Sequence, residues 1–166
     1  MSETAAGPLT AGEISGLLIR DASVPDAPLL AAAISELLIE LGGTPAPIPA
    51  LQDAALAVIE DPGMGVLLVA ESAGELVGLL AVSWQHAIRT AGRYGLIQEL
   101  WVRPASRERK VGAAMLRALL DLARDEGVDR IEVGLPSERF AGLAETEEFY
   151  RRHGFTDIGM RMRWSL

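Results

Sequence analysis

The sequence contains no cysteine, a single lysine and two histidines among its 166 residues. The absence of cysteine excludes disulfides, thiolate nucleophiles, cysteine-ligated zinc and iron–sulfur clusters, and it fits a reducing compartment. The two histidines, His86 and His153, lie far apart in the chain, so a histidine-based metal site is not expected either. We therefore predict a protein that uses no metal.

The sequence also has no long apolar run. Its beginning, MSETAAGPLTAGEIS, lacks the basic region and apolar core of a secretory signal, and it is too polar for a membrane anchor. We expect a cytoplasmic protein with no membrane partner and a flexible lead-in over residues 1–14. With 15 basic and 23 acidic residues the net charge is −8, which argues against a nucleic-acid partner and mildly favours cationic substrates. The length fits one domain, residues 1–166.

Hydrophobic periodicity predicts alternating strands and helices in the order β, α, α, β, β, β, α, β, α, β. Asp26 is the predicted N-cap of the first helix, Gly42 and Gly43 end it, and the proline-rich segment 44–50 is a predicted loop. Three consecutive antiparallel strands followed by helical crossovers indicate an α/β (α+β) fold, with a mixed, mostly antiparallel sheet and helices on both faces. The predicted elements span residues 16–21, 27–43, 51–63, 66–72, 74–88, 93–102, 111–127, 130–136, 145–154 and 157–166.

A cluster of cations stands where a strand is predicted to pass into a helix. Arg103, Arg107, Arg109 and Lys110 fall within a few residues of this otherwise acidic chain. The first turn of a helix has unpaired N–H groups and partial positive charge, and Gly112 lets a ligand approach the backbone closely. The helix dipole disfavours cations at this end, so we interpret the cluster as a site for a polyanion such as a pyrophosphate, in preference to a solvated helix start.

Residues 102–116, VRPASRERKVGAAML, resemble the acetyl-CoA signature V-x-P-x-x-R-G-x-G-x-G-x-x-L-L of the GNAT superfamily of N-acetyltransferases. The segment EEFYRRHGF at 147–155 resembles the family's F-Y-x-x-x-G-F, and IRDASVPDAPLL resembles its first strand and helix. Glu108 and Lys110 replace glycines of the signature, which implies a less open loop. The matching positions of the signature are Val102, Pro104, Arg107, Gly112 and Leu116.

The resemblance implies a GNAT fold and transfer of an acetyl group from acetyl-CoA to an amine. It also implies that the fourth and fifth strands splay apart, that the pantetheine arm pairs with the strand ending at Glu99 to Val102, and that the Leu100 N–H polarises the thioester carbonyl. The implied acetyl-CoA-binding residues are Leu100, Trp101, Val102, Arg107, Glu108, Arg109, Lys110, Val111, Gly112 and Ala113.

Two residues are the candidates for the proton transfers. Tyr150 matches the tyrosine of the F-Y-x-x-x-G-F segment and, with an ordinary pKa near 10, stays protonated to serve as the acid; a packed core aromatic is the alternative. Glu99 is the candidate base, since strand alternation places it beside Trp101 and away from Leu100. A solvated or ion-paired glutamate, or Glu132 or His86 as the base, stay open as alternatives.

The acceptor is expected to be an amine of a small molecule or peptide, bound by some of the segments TPAPIPA, SWQHAIR and LPSERFAGLAE. The alternating end MRMRWSL favours a homodimer. Retention of Tyr150 favours an enzyme over the alternative, a non-catalytic acyl-CoA-binding regulatory module. Neither a P-loop nor a dinucleotide fingerprint is present in the sequence.

Overall fold

The structure, a computed structural model, describes residues 16–159 and 162–164. Within these residues the strands are β1 (Leu17–Asp21), β2 (Gly65–Ser72), β3 (Glu75–Ala87), β4 (Gly92–Val102) and β5 (Ile131–Val133). The helices are α1 (Ala27–Glu40), α2 (Ile48–Glu60), α3 (Val111–Asp125) and α4 (Leu143–Arg152). Short 3-10 segments lie at Val24–Asp26, Ile88–Thr90 and Pro104–Arg109.

The strands form one sheet in the order β1-β2-β3-β4-β5. Neighbours from β1 to β4 are antiparallel and β5 runs parallel to β4, so the predicted mixed, mostly antiparallel sheet is confirmed. β2 and β3 are joined through Ala73 and Gly74, whose φ angles of 54° and 78° give the two-residue turn that matches strand twist.

Helices cover both faces of the sheet, as predicted. On one face α3 buries an apolar stripe formed by Val111, Met115, Leu116 and Leu119 against β2, β3 and β4. The recurrence of these residues every three or four positions is what makes α3 amphipathic. On the opposite face α1 buries Leu30 and Ala33 against a second cluster formed by Val69, Leu79 and Trp101 of the sheet.

Several boundaries differ from the prediction. α2 begins at Ile48, inside the segment predicted as a loop, because Pro49 sits in the first helical turn where its missing N–H costs nothing. β5 has three residues, fewer than predicted, and α4 begins at Leu143. Hydrophobic periodicity predicts whether a segment is a helix or a strand more reliably than it predicts the residues at which that element begins and ends.

The predicted role of Asp26 is corrected. Asp26 occupies the N-cap position of α1, but its carboxylate makes no capping bond to that helix. It accepts hydrogen bonds from the Ser23 N–H at 2.7 Å and from two nitrogens of Arg20 at 2.8 and 2.9 Å. Arg20 also donates to Glu71, so this cluster ties β1, β2 and the start of α1 together. The Arg20 guanidinium holds the pKa of Asp26 well below its ordinary value.

The predicted strand at 157–166 is not formed in the described residues 157–159 and 162–164. Alternation can specify which side chains share a face, but a strand also needs an edge with which to pair. Residues 160, 161, 165 and 166 of this prediction lie outside the described residues, as does the predicted lead-in over 1–14.

Candidate active site

The site begins where β4 loses its partner. β5 pairs with β4 only over Gly95 to Ile97, and the pairing ends at Val133. β4 continues to Val102, so within the described part of the chain its last five residues have no strand beside them on this edge. The predicted splaying of the fourth and fifth strands is present.

A β-bulge sets the orientation of this open edge. Val82 of β3 lies opposite Ile97 and Ala81 lies opposite Glu99, so Gln98 is an extra residue in β4. The Gly95 N–H donates to the Arg130 carbonyl, toward β5. In a regular strand every second N–H points to the same side, so without the bulge the N–H of Glu99 would also point toward β5.

Beyond the bulge the alternation is reversed. The Arg103 N–H donates to the Val77 carbonyl at 2.9 Å, toward β3. Because every second N–H of a strand points to the same side, the N–H groups of Trp101 and Glu99 also point toward β3. The N–H groups of Leu100 and Val102 therefore face the open edge.

The chain turns from β4 into α3 through a loop with exposed backbone donors. The 3-10 segment Pro104–Arg109 ends at Lys110, whose φ of 59° lies in the left-handed region. The first α-helical hydrogen bond of α3 runs from the Ala114 N–H to the Lys110 carbonyl at 3.1 Å. The N–H groups of the preceding helical residues, Val111 to Ala113, have no acceptor one turn earlier in the helix.

The four cations of the predicted cluster do not converge on one point. Arg107 donates two hydrogen bonds to the Glu40 carboxylate, at 2.7 and 2.6 Å, and one to the Val102 carbonyl at 3.1 Å. Arg103 pairs with Glu75 at 2.6 Å, and Arg109 lies 3.5 Å from the Ser72 hydroxyl. Within the described residues, Arg109 and Lys110 are the cations of this cluster that take part in no ion pair.

A cleft of about 880 Å³ joins the open edge of β4 to the start of α3. Its walls come from the end of α1, from β4, from the 3-10 loop, from the segment after β5 and from α4. The predicted site residues that line the cleft are Glu99, Leu100, Trp101, Val102, Arg107, Glu108, Lys110, Gly112, Ala113 and Tyr150.

Two residues of the predicted set do not line the cleft. The Arg109 side chain is directed toward Ser72 of β2, and Val111 is buried in the core on the α3 side. The backbone N–H groups of both residues still belong to the loop. Gly112 does line the cleft, and a Cβ at this position would lie 3.5 Å from Phe149 and 3.6 Å from Val102, at ordinary contact distance.

Tyr150 lies on α4 with 6% of its surface exposed. Its ring makes edge contacts with Phe149 and Phe155, each with centroids 5.2 Å apart, which fix its position. Burial raises the pKa of the Tyr150 hydroxyl to about 12, so the group is protonated and a donor at neutral pH.

Glu99 is half-buried and faces α1, together with Trp101, as alternation predicted. Burial raises the pKa of the Glu99 carboxyl above its ordinary value. No cation among residues 16–159 or 162–164 forms an ion pair with it. The other candidate bases are placed differently: Glu132 is bound by Arg89 at 2.8 and 3.1 Å, and His86 is exposed on β3.

The segments predicted to bind an acceptor contribute unequally. Four residues of LPSERFAGLAE line the cleft, namely Pro136, Phe140, Gly142 and Glu145, while TPAPIPA lies outside its lining. Trp84 of SWQHAIR packs against the α3-side core, with the Arg93 guanidinium 4.5 Å above its ring.

The cleft residues that had no place in the sequence-based site include Glu40, Gln98 and Phe149. Phe149 had a signal in the sequence, because it precedes Tyr150 in the F-Y-x-x-x-G-F segment. Glu40 and Gln98 had none, since a helix-end glutamate and a strand glutamine are ordinary surface residues.

The described residues contain no group of three or more side chains suited to hold a metal ion. Among the helices of residues 16–159 and 162–164, none is long and apolar enough to cross a membrane.

An open strand edge next to a helix start with free N–H groups, in a mixed sheet covered on both faces, defines an α/β protein suited to bind an extended ligand that carries an anion. Residues 32–155 match the acetyltransferase (GNAT) family, and the chain belongs to that family. It is 30% identical over 149 residues to an aminoalkylphosphonate N-acetyltransferase of Salmonella typhimurium, covering 89% of this chain and 90% of the relative.

Solved structures share the fold. A predicted acetyltransferase of Clostridium acetobutylicum, solved with acetyl-CoA, superposes with a TM-score of 0.72 at 20% identity, covering 90% of this chain and 96% of that chain. An integron cassette protein from a salt-marsh metagenome superposes with a TM-score of 0.74 at 26% identity, covering 89% of each chain. The predicted GNAT fold is confirmed.

Proposed function

We propose that the chain is an N-acetyltransferase that transfers an acetyl group from acetyl-CoA to a primary amine by direct attack on the thioester. The observation that carries the proposal is the N–H of Leu100, turned by the bulge toward an open edge that lies between a helix start with free donors and the Tyr150 hydroxyl. Acetyl-CoA, when bound, supplies the activated acetyl thioester.

The donor end of the cleft suits a nucleotide pyrophosphate. The free N–H groups of Val111 to Ala113 and the Lys110 ammonium favour an anion there. The backbone N–H and C=O groups of Leu100 and Val102 suit an amide-bearing arm that pairs along the edge as an added strand. An acyl oxygen beside Leu100 would then accept a hydrogen bond from its N–H, which stabilises negative charge as it develops.

Glu99 and Tyr150 serve the two proton transfers. The Glu99 carboxylate removes the proton that the attacking nitrogen gives up, and the raised pKa of this group brings its basicity closer to neutral pH. As the nitrogen–carbon bond forms and the carbon–sulfur bond breaks, the Tyr150 hydroxyl donates to the departing sulfur. Its pKa of about 12 exceeds that of an ordinary thiol, so after giving its proton to the thiolate the tyrosine takes one back from solvent water, and Glu99 releases the proton of the amine to solvent.

The test is a panel of primary amines assayed for free thiol with acetyl-CoA, on the protein and on Tyr150→Phe. The variant keeps the ring, so acetyl-CoA should bind as before in calorimetry, while turnover falls on the order of 10²-fold. The aminoalkylphosphonate named for the Salmonella relative belongs in the panel. Acetyl-CoA binding with no amine-dependent thiol would instead support a non-catalytic acyl-CoA-binding module.

We also propose that the protein is a homodimer. Ile158, Met162 and Trp164 follow α4 with 66%, 99% and 80% of their surfaces exposed, and the outer edge of β5 has no strand beside it within the described residues. Exposed apolar side chains and an unpaired strand edge are each suited to meet a second copy of this chain. Light scattering at micromolar concentration checks this, and a monomeric mass contradicts it.

A further inference from the structure

A polar floor lies on the face of the sheet that is covered by α1. Ser83 shares this face with Leu79 and Ala81, and its hydroxyl accepts hydrogen bonds from the side-chain amides of Gln85 at 2.9 Å and Gln98 at 2.8 Å. The amide N–H donors of both glutamines thus point at one hydroxyl. Of these three residues Gln98 lines the cleft, and among the described residues no donor is bound to its side-chain oxygen, so this oxygen is available to a ligand.

The bulge brings this floor next to the candidate base. Gln98 is the extra residue of β4, and its side chain reaches Ser83 on the same face as Glu99. Two consecutive side chains of one strand therefore lie on one face, which regular alternation forbids. A ligand that contacts Glu99 lies beside the Gln98 oxygen.

The cleft residues contributed by the end of α1 and by β4 include no cation. Their polar groups are Glu40, Gln98, Glu99 and the Trp101 indole, and Leu37 and Leu41 add apolar surface. Glu40 is neutralised by Arg107 at the donor end. This leaves the Glu99 carboxylate and the Gln98 amide oxygen as the acceptor groups that face a substrate amine.

The guanidinium on the same face is not available to an anion. Arg89 donates two hydrogen bonds to Glu132, which is 5% exposed, and its guanidinium carbon lies 5.0 Å from the centroid of the Tyr94 ring. The charge of Arg89 thus compensates a buried carboxylate. Of the other cations that line the cleft, Lys110 lies at the donor end and Arg152 pairs with Glu148 at 3.4 Å. A carboxylate or phosphonate beside Glu99 and Gln98 would therefore meet mainly oxygen atoms, which disfavours binding.

We propose that the preferred acceptor is a diamine or polyamine, an amine whose chain carries further N–H donors and no anionic group. The proposal rests on the function proposed above and specifies its substrate class. One nitrogen reacts beside Glu99, while a second donates to the side-chain oxygen of Gln98. Gln98 is then the specificity-determining residue, because it adjoins both the base and the floor.

The experiment measures kcat and KM for four amines with acetyl-CoA, namely 1,4-diaminobutane, n-butylamine, 4-aminobutyrate and 2-aminoethylphosphonate. The diamine should exceed n-butylamine in kcat/KM by about tenfold, the scale of one hydrogen bond to a charged group, and exceed both anionic amines by more. Gln98→Leu should raise KM for the diamine with a smaller effect on kcat. Gln52→Leu, the same change on α2 outside the cleft lining, is the matched control and should leave KM unaltered.

The outcomes separate this proposal from the function on which it rests. Equal or better turnover of 4-aminobutyrate or 2-aminoethylphosphonate overturns the diamine preference while N-acetyl transfer stands. An unchanged diamine KM in Gln98→Leu overturns the role of Gln98. If no amine releases thiol above the hydrolysis background, the proposed function and this inference both fail.

Discussion

Glu40 and Arg107 form an ion pair at the donor end of the cleft, and the change Glu40→Gln tests how that pair affects acetyl-CoA binding. Two nitrogens of the Arg107 guanidinium donate hydrogen bonds to the Glu40 carboxylate, and its Nε donates to the Val102 carbonyl. An incoming pyrophosphate must either compete with Glu40 or bind beside a neutralised cation. Glutamine keeps the shape of the side chain and removes its charge.

The structure sets the size of the effect. The two side chains are 44% and 35% exposed, so water screens their attraction and the pair is worth about 0.2–1 kcal/mol. Removing the competing charge should therefore tighten acetyl-CoA binding by up to about fivefold. The gain should shrink as salt rises to about 1 M, where charges a few ångströms apart are screened.

Calorimetric titration with acetyl-CoA at low salt measures the effect, with Glu75→Gln as the matched control. Glu75 pairs with Arg103 at 2.6 Å on the surface, outside the cleft lining, so this variant makes the same change in net charge away from the site. Tightening in both variants would mean that net charge alone is responsible. Weaker binding by Glu40→Gln would show that Glu40 positions Arg107 for the anion, which is the opposite of the reasoning here.

Three further outcomes are expected. Gly112→Ala should bind acetyl-CoA, since its Cβ makes only ordinary contacts. Gly112→Asp should raise the calorimetric Kd for acetyl-CoA by at least about tenfold, because it places a negative charge at the anion site. Equal affinities of the two variants would contradict pyrophosphate binding at the start of α3. Burial raises the pKa of Glu99, so activity should fall as the pH drops and the carboxylate becomes protonated. Glu99→Gln should remove this acidic limb of the pH profile. An acidic limb that persists in the variant would rule out Glu99 as its source. The stabilisation from Asp26, whose pKa Arg20 lowers, is fully present above the unfolded value near 4 and is lost as the pH falls through the folded value. Urea melts should show Asp26→Asn less stable by about 1–3 kcal/mol at pH 7, with the difference shrinking in acid, and a pH-independent difference would contradict this.

Elements that depend on local patterns were predictable from the sequence. β3, β4 and α3 lie where periodicity placed them, because each carries a long apolar repeat that has one face to bury. The cleft-lining position of Tyr150 followed from a motif. The prediction failed where a strand depends on a neighbouring strand with which to pair. The alternating segment 157–166 has the pattern of a strand, but its described residues pair with no edge of the sheet.

The details of the site depended on contacts between distant parts of the chain. Arg107 was expected to face an anion, and its bond to Glu40 spans 67 positions, which no local pattern can indicate. Alternation along the sequence treats Gln98 as an ordinary strand residue, and only the register between β3 and β4 shows that it is an extra one. The sequence could therefore predict which segments form the cleft, while the pairing of charges within it required the fold.

The bulge in β4 adds one residue to the strand without changing which of the other residues are buried. Substitution of Gln98 alters one side chain and leaves every neighbour on its own side of the sheet. Deletion of Gln98 would place Ile97 and Glu99 in regular alternation opposite Val82 and Ala81, so both parts of the strand would keep their present faces. Glu99 would still face α1, and the N–H of Leu100 would still face the open edge. The extra residue therefore adds a polar side chain beside Glu99 while the core stays the same.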